Sequence, residues 1–170
     1  MSHPLQEVMR SADGFLLIGE SSKGRFPAYS YFAYTEVKKR FYCFDLDGLP
    51  TSRGKIKDGK VYSRVEDLPA DRSDLAIIWV HPHSTARAVE VAHEAGCRRV
   101  WFSFQTGHAT GLARAAELGM QVVEIGRCPV HYLDEMPAGC RAHTALVKVT
   151  GTWGRPPLTT IGEKRPRELW

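Results

Sequence analysis

The 170-residue sequence contains no apolar run of membrane-spanning length, and its first residues lack the apolar stretch of a secretion signal. These absences predict a cytoplasmic protein with no membrane partner. Since nothing points to export, the four cysteines (Cys43, Cys97, Cys128 and Cys140) are expected to be thiols rather than disulfides. The length suits one domain with a proper core and is short for two.

Strong charge of either sign is also absent, because the formal net charge is only +4. The excess lies in residues 140–170, and the remainder of the chain is balanced. Within that remainder, basic residues are concentrated at Arg53, Lys55, Lys57, Lys60 and Arg64. A local cluster suits a small anion, whereas a nucleic acid normally requires a broader basic face. We therefore expect a small-molecule ligand rather than a nucleic acid; a solvated surface loop is the alternative interpretation of this cluster.

Apolar runs without alternation are typical of strands that are buried on both faces of a parallel sheet. Such runs predict parallel strands at 15–19, 41–45, 75–80, 99–104 and 121–125, with the first strand central, and a short additional strand at 61–62. Helical segments alternate with them, at 27–39, 84–95 and 108–118. This alternation predicts an α/β fold, a Rossmann-like parallel sheet with helices on both faces.

The first predicted strand runs into the loop Gly19-Glu20-Ser21-Ser22-Lys23-Gly24-Arg25, and Pro27 follows. The two glycines allow a tight turn and a close approach to a ligand, and proline suits the first turn of a helix. A strand, a glycine loop and a helix start together present backbone N–H groups to an anion, usually a phosphate. The loop matches neither common phosphate-loop pattern, so a tight turn without a ligand is the alternative.

In an open parallel sheet, ligands bind beyond the carboxyl ends of the strands, where the strand order reverses. The segments predicted to lie at this edge contain most of the loop glycines and several polar residues; they are 19–25, 45–48, 81–84, 105–107 and 126–129. The sequence therefore predicts that they share one ligand-binding crevice.

Several short motifs occur in a characteristic order: Gly19-x-Ser21 with Lys23, Gly24, Arg25 and Pro27; Glu66-Asp67-Leu68-Pro69; Val80 and Pro82; Trp101 with Gln105-x-Gly107; and Gly126-Arg127-Cys128-Pro129. Over residues 13–132 the chain thereby resembles the small stand-alone CoA-binding proteins, whose domain is similar to the N-terminal domain of the succinyl-CoA synthetase α subunit. The resemblance implies a Rossmann-like fold that holds CoA by its adenosine diphosphate portion, generally without known catalysis.

From this resemblance we expect CoA, an acyl-CoA or a related adenine nucleotide as the ligand. The pyrophosphate is expected on the first loop, its phosphate oxygens near Arg25 and a lysine of the basic segment, the adenine between Val80 and Pro82, and the pantetheine near residues 105–107. The expected ligand-binding residues are Gly19, Ser21, Ser22, Lys23, Gly24, Arg25, Asp45, Lys55, Val80, Pro82, Gln105, Thr106 and Gly107. No catalytic group is identified.

Two departures from the family pattern keep other functions open. Asp45 and Asp47 follow the second strand, where the family usually has a Val-Asn-Pro type of turn, and carboxylates there would repel phosphates. An acidic residue at this point also binds a ribose in NAD-dependent folds, so an NAD-type oxidoreductase using Asp45 is the first alternative. His81 and His83 are the second departure. A scaffold that recruits a partner protein through its tail or its aromatic helix is the remaining alternative.

A metal site is an alternative to the CoA-binding interpretation for part of the chain. Cys128-x-x-His131 and Cys140-x-x-His143 supply two thiols and two imidazoles, which together could hold a tetrahedral zinc. The spacing is not that of a familiar zinc finger, and Cys128 already belongs to the family motif. We therefore expect no zinc.

The C-terminal part of the chain is predicted to differ from the rest. We expect a CoA-binding domain over residues 1–140 and an extension over 141–170, with a β-prone segment at 145–149 that predicts a strand. From Gly151 the composition shifts to glycine, proline, threonine and charge, which is typical of an extended or disordered tail. Trp153 or Trp170 would anchor such a tail if it packed on the domain. The aromatic residues of segment 27–39 are expected in the core or in a subunit contact, so a homodimer is one interpretation.

Overall fold

A parallel sheet forms the centre of the computed structural model, which describes residues 2–26, 33–34, 39–48, 60–71 and 73–161. Its strands are β1 (Gly14–Gly19), β2 (Arg40–Asp45), β3 (Val61–Tyr62), β4 (Leu75–Trp79), β5 (Arg99–Phe102) and β6 (Gln121–Ile125). All neighbouring strands pair in parallel, in the order β3-β2-β1-β4-β5-β6. The predicted parallel sheet with a central first strand is confirmed.

The sheet is covered on both faces because successive side chains of its central strands point to opposite sides. In β1, Leu16 and Ile18 belong to one core cluster, whereas Phe15 and Leu17 belong to the other. The helices α2 (Thr85–Glu94) and α3 (Ala109–Glu117) cover the first face. The helices α1 (Pro4–Ser11) and α4 (Ala138–Val149), with the 3₁₀ turn Pro129–Tyr132, cover the second. The structure confirms the predicted α/β Rossmann-like fold with helices on both faces.

Helix α4 occupies the segment for which the sequence predicted a strand, so the strand at 145–149 is wrong. The burial pattern explains the difference: Thr144 and Val147 are buried and Cys140 is half-buried, and these residues are four and three positions apart, so they lie on one helix face. Leu146 and Val149 are 47% and 85% exposed, which a two-residue alternation would not give. The predicted domain division after residue 140 falls inside this helix.

The segment after α4 packs against the edge strand β6. Trp153 stacks on Tyr132 with ring centroids 5.7 Å apart and donates its indole N–H to the carbonyl of His131. Further along, the backbone N–H of Leu158 donates to the buried carboxylate of Glu124 at 3.0 Å. Trp153 therefore anchors the predicted tail as far as the structure describes it.

The predicted helix at 27–39 lies mostly outside the described residues. Of its aromatic residues, Tyr34 is described; it is buried and helical, and its ring lies 5.5 Å from that of Phe15. The homodimer stays a prediction. None of the helices within the described ranges has the length and apolar character needed to cross a membrane.

The close approach of α2 and α3 generates a stability prediction. A Cβ on Gly111 would lie 2.6 Å from both Cβ and Oγ1 of Thr85, which are atoms held close to the α2 backbone. We expect Gly111→Ala to destabilise the protein by about 1–3 kcal/mol, because the two helices must separate. Chemical unfolding followed by circular dichroism measures this change.

Gly139→Ala is the matched control, because a Cβ at this position in α4 would meet nothing within 4 Å. The same substitution there should leave stability unchanged or raise it by up to about 1 kcal/mol, since alanine favours a helix over glycine. Equal stability of the Gly111 variant and the unaltered protein would contradict the packing argument.

Candidate functional site

The strand order reverses between β1 and β4, which are neighbours in the middle of the sheet. From β1 the chain continues to β2 and β3 on one side, and from β4 it continues to β5 and β6 on the other. The loops that follow β1 and β4 therefore diverge and leave a crevice at the carboxyl edge, the usual ligand-binding position in such sheets. The topology thus creates the crevice that the sequence predicted.

Arg25 connects the loops that border this crevice. Its Nη1 donates to the carbonyl oxygen of Val80 at 2.6 Å, to the carbonyl oxygen of Gln105 at 3.0 Å and to Oγ1 of Thr106 at 3.0 Å. Burial lowers the pKa of the guanidinium, and the nearby Glu20 carboxylate opposes this effect. The predicted ligand residues of the β1, β4 and β5 loops are therefore brought together by one side chain.

Asp45 holds the loop after β1. Its carboxylate is fully buried; one oxygen accepts the backbone N–H of Ser21 at 3.0 Å and the other accepts the Ser21 hydroxyl. Asp47 accepts the backbone N–H of Ser22 at 2.8 Å. The strand register explains this arrangement, because Gly19 pairs with Asp45 and the carboxylates that follow β2 consequently lie beside the loop.

The remaining backbone N–H groups of the β1 loop donate to carbonyl oxygens of the same loop. Lys23 and Arg25 both donate to the carbonyl of Glu20 at 3.1 Å, and Gly24 donates to the carbonyl of Ser21 at 3.0 Å. Gly24 has φ of 72°, a conformation that glycine adopts without strain. The sequence predicted free N–H groups for a phosphate here, but in the structure the loop and the two carboxylates after β2 accept them.

Glu20 is a functional position that sequence reasoning missed. Its buried carboxylate accepts the backbone N–H of His81 at 2.9 Å and the hydroxyl of Ser84 at 2.8 Å, which ties the β1 loop to the β4 loop. Ser84 is the N-cap residue of α2, and its hydroxyl donates to Glu20 rather than to the helix backbone. The sequence signal that could have identified Glu20 is its position directly after a buried strand.

The loop after β5 has an unusual backbone. Gln105 adopts φ of 53°, and it is the one non-glycine residue with positive φ in the described part of the chain. Thr106 is fully buried and donates its hydroxyl to the carbonyl of Phe104 at 3.2 Å. A Cβ on Gly107 would lie 2.4 Å from Cγ2 of Ile125, so only glycine fits there. These three predicted residues lie in a tightly fixed turn, a backbone feature often found at functional sites.

The apolar wall of the crevice differs from the prediction. The side chain of Val80 is 0% exposed and belongs to the core, so it does not wall a ligand; its carbonyl contacts Arg25 instead. Next in the sheet, the rings of Trp79 and Phe104 lie 5.3 Å apart and line an apolar pocket with Phe26. These three half-buried aromatic residues, which were not among the predicted ligand-binding residues, contribute to the lining of this pocket.

The other predicted residues have different positions. Pro82 is half-buried at the start of the 3₁₀ turn Pro82–Ser84, at the crevice edge. Lys23 is exposed on the β1 loop. Lys55 and most of the basic segment lie outside the described residues.

The four candidate metal ligands do not converge. The rings of His131 and His143 lie 4.6 Å apart, whereas Cys128 and Cys140 pack against the apolar cluster under the second sheet face. In the described part of the chain, no three His, Cys, Asp or Glu side chains are arranged to hold a metal ion. His131 points instead to α4, where Nδ1 lies 2.8 Å from Oγ1 of Thr144.

Three solved structures share the fold of this chain. A hypothetical protein from Pyrococcus horikoshii OT3 is 25% identical with a TM-score of 0.60, over 75% of this chain and 86% of that one. Prb, a protein redesigned for binding, is 23% identical with the same TM-score and coverage. A protein from Thermus thermophilus is 16% identical with a TM-score of 0.55, over 75% of this chain and 95% of that one.

A family profile described as a CoA binding domain matches residues 15–133. The match runs from β1 through the 3₁₀ turn after β6 and includes every loop that borders the crevice. Among proteins of curated function, none matches the sequence.

The environment of His131 generates a prediction about pH. Thr144 donates its hydroxyl to the sulfur of Met136, so it accepts from Nδ1 of His131, and Nε2 is buried with no hydrogen-bond partner among the described residues. Burial, assisted by His143, lowers the pKa of His131 to about 4. The unfolded chain binds this proton near pH 6.5, so stability is complete above that pH and falls as the pH decreases toward 4.

We expect His131→Gln to reduce the loss of unfolding free energy between pH 7 and pH 4.5 by about 2 kcal/mol. Denaturant unfolding at a series of pH values measures the difference from the unaltered protein. His93→Gln is the control, because His93 is exposed on α2 and should leave the pH dependence unchanged. Identical pH dependence in the His131 variant and the unaltered protein would refute the assignment.

Proposed function

The chain belongs to the CoA-binding domain family, and we propose that it binds coenzyme A, an acyl-CoA or a related adenine nucleotide in the crevice between β1 and β4. The observation that carries the proposal is the family match over residues 15–133, which spans the loops at the point where the strand order reverses. Ligands of open parallel sheets bind at this point because the diverging loops leave room for them.

The proposed ligand contacts follow from the side chains at the crevice. The pocket lined by Phe26, Trp79 and Phe104 offers an apolar surface for the adenine or the pantetheine chain. Gln105 and Gly107 lie on the turn that Arg25 fixes. Lys23 is exposed on the β1 loop. We propose that Lys55 of the basic segment reaches the phosphates of the ligand.

The loop after β1 fits the phosphates of CoA less well than the family resemblance implies. A pyrophosphate on the backbone N–H groups of Ser21 and Ser22 would have to displace Asp45 and Asp47, which accept them. The two carboxylates would repel the two phosphates. The proposal therefore keeps the crevice as the binding site and assigns the β1 loop to its wall.

The NAD alternative depends on Asp45 binding a ribose. Both oxygens of this carboxylate already accept hydrogen bonds from Ser21, and the side chain is fully buried. A ribose hydroxyl would need to break these bonds, which disfavours NAD. We therefore propose ligand binding; among the described residues we identify no catalytic constellation to which a reaction could be assigned.

Ligand preference is the test. Calorimetric titration with CoA, dephospho-CoA and NAD should give the tightest binding for CoA, and native mass spectrometry of freshly purified protein should detect a retained ligand of matching mass. Lys55→Glu should weaken CoA binding by about tenfold, or ~1.4 kcal/mol, because it reverses a charge near the phosphates.

Arg98→Glu is the control for the charge reversal, since Arg98 is exposed and precedes β5 at the opposite edge of the sheet. Tighter binding of NAD than of CoA would instead support the NAD-type oxidoreductase. Absence of binding for all three compounds would favour the scaffold that recruits a protein partner.

A further inference from the structure

Three histidine side chains meet at the carboxyl edge of the sheet. His81 and His83 belong to the turn after β4, and His108 precedes α3 in the loop after β5. The ring centroids of His81 and His83 lie 5.3 Å apart, and those of His83 and His108 lie 5.0 Å apart. We call these three residues the histidine cluster.

The backbone favours one position for the proton in two of the rings. Nδ1 of His81 accepts the backbone N–H of His83 at 3.4 Å. Nδ1 of His108 accepts the backbone N–H of Thr110 at 3.3 Å and lies 2.8 Å from the Thr110 hydroxyl, which can also donate to it. A ring nitrogen that accepts a hydrogen bond has no proton, so in the neutral ring the proton is on Nε2. His81 and His108 consequently present N–H donors without needing to be charged.

Two N–H donors select an acceptor ligand rather than a metal ion. A metal binds the lone pair of an imidazole nitrogen, and at Nε2 of these rings that position holds a proton. The described residues contain no group of three side chains with metal-binding geometry. An oxyanion, by contrast, accepts from N–H groups directly.

The surroundings also favour an anion. Helices α2 and α3 both begin beside the cluster, and their N-termini carry partial positive charge. The carboxylate of Glu20 also lies on this side, and hydrogen bonds from the backbone N–H of His81 and the hydroxyl of Ser84 offset part of its charge.

The cluster borders the same crevice as the proposed ligand. Arg25 donates to the carbonyl of Val80, the residue before His81, and to the carbonyl of Gln105, three residues before His108. On the other side of the crevice, Asp45 and Asp47 fill the N–H groups of the β1 loop. On the β1 side a negatively charged group would therefore meet two carboxylates and N–H groups that already have acceptors, whereas on the β4 and β5 side it would meet imidazole N–H donors.

We propose that the histidine cluster is the phosphoryl-binding subsite of this protein, with Nε2–H of His81 and His108 donating to phosphate oxygens. This inference rests on the proposed function for the identity of the ligand, but its chemistry requires only a phosphoryl group. It relocates the anion site from the β1 loop to the loops after β4 and β5.

The variants that test it preserve the backbone contacts of the cluster. In His81→Asn and His108→Asn the side-chain oxygen can still accept the N–H of His83 or Thr110, but the Nε2–H donor is removed. At pH 8, where ordinary imidazoles are neutral, each variant should weaken CoA about tenfold and the double variant about a hundredfold. His93→Gln, on the exposed surface of α2, should bind CoA like the unaltered protein.

Titration with dephospho-CoA identifies which phosphoryl group the cluster binds. If dephospho-CoA loses no affinity in the double variant, the 3′-phosphate is the group bound; if it loses as much as CoA, the pyrophosphate is. Either result supports the subsite. Equal CoA affinity in the unaltered protein and the double variant would overturn the inference and leave the proposed function intact.

Nuclear magnetic resonance of the imidazole nitrogens gives a readout that does not depend on CoA. The signals of His81 and His108 should report the Nε2–H form and should shift on addition of pyrophosphate, while His93 should not respond. If CoA fails to bind but these signals shift, the proposed function fails and the subsite stands. Pyrophosphate shifts confined to the amides of Ser21 and Ser22, or Nδ1–H forms of both rings, would refute the subsite.

Discussion

The crevice depends on the single guanidinium of Arg25. One of its nitrogens donates to oxygen atoms of both the β4 and the β5 loop, although the residue itself belongs to the β1 loop. Hydrogen bonds from a charged donor are about twice as strong as neutral ones, and arginine stays charged even where burial lowers its pKa. Arg25 thereby links three loops that would otherwise diverge, and the contacts of Glu20 with His81 and Ser84 reinforce the link between the β1 and β4 loops.

The carboxyl edge has two electrostatically different halves. On the β1 and β2 side, Asp45 and Asp47 bring negative charge against the loop that binds phosphate in many related folds. On the β4 and β5 side, His81 and His108 present N–H groups beside two helix N-termini. If the proposed ligand binds here, its phosphoryl groups are expected on the β4 and β5 side, where imidazole N–H donors are available.

Features determined by neighbouring residues in the sequence could be predicted, whereas features determined by contacts between distant residues could not. The parallel sheet was predictable because uninterrupted apolar runs such as 75–79 are a local signal, and the crevice followed from the strand order. The role of Asp45 could not be predicted, because it depends on the pairing of Asp45 with Gly19, which lies 26 residues earlier in the chain. Helix α4 was not predicted because its β-branched residues favour a strand. The helical spacing of Cys140, Thr144 and Val147 becomes informative only once the structure shows which residues are buried.

The two ends of the described chain meet away from the crevice and explain why the C-terminal segment belongs to the fold. Nδ1 of His3 accepts the backbone N–H of Leu5 and its Nε2–H donates to the carbonyl of Arg155, which also accepts from Arg127. Burial lowers the pKa of His3, so the neutral ring can make both bonds. The backbone N–H of Leu158 donates to Glu124 of β6, so the segment packs beside this edge strand, and the opposite edge strand β3 has only two residues. A segment packed beside one edge and a very short strand at the other are both features by which proteins limit strand addition at sheet edges.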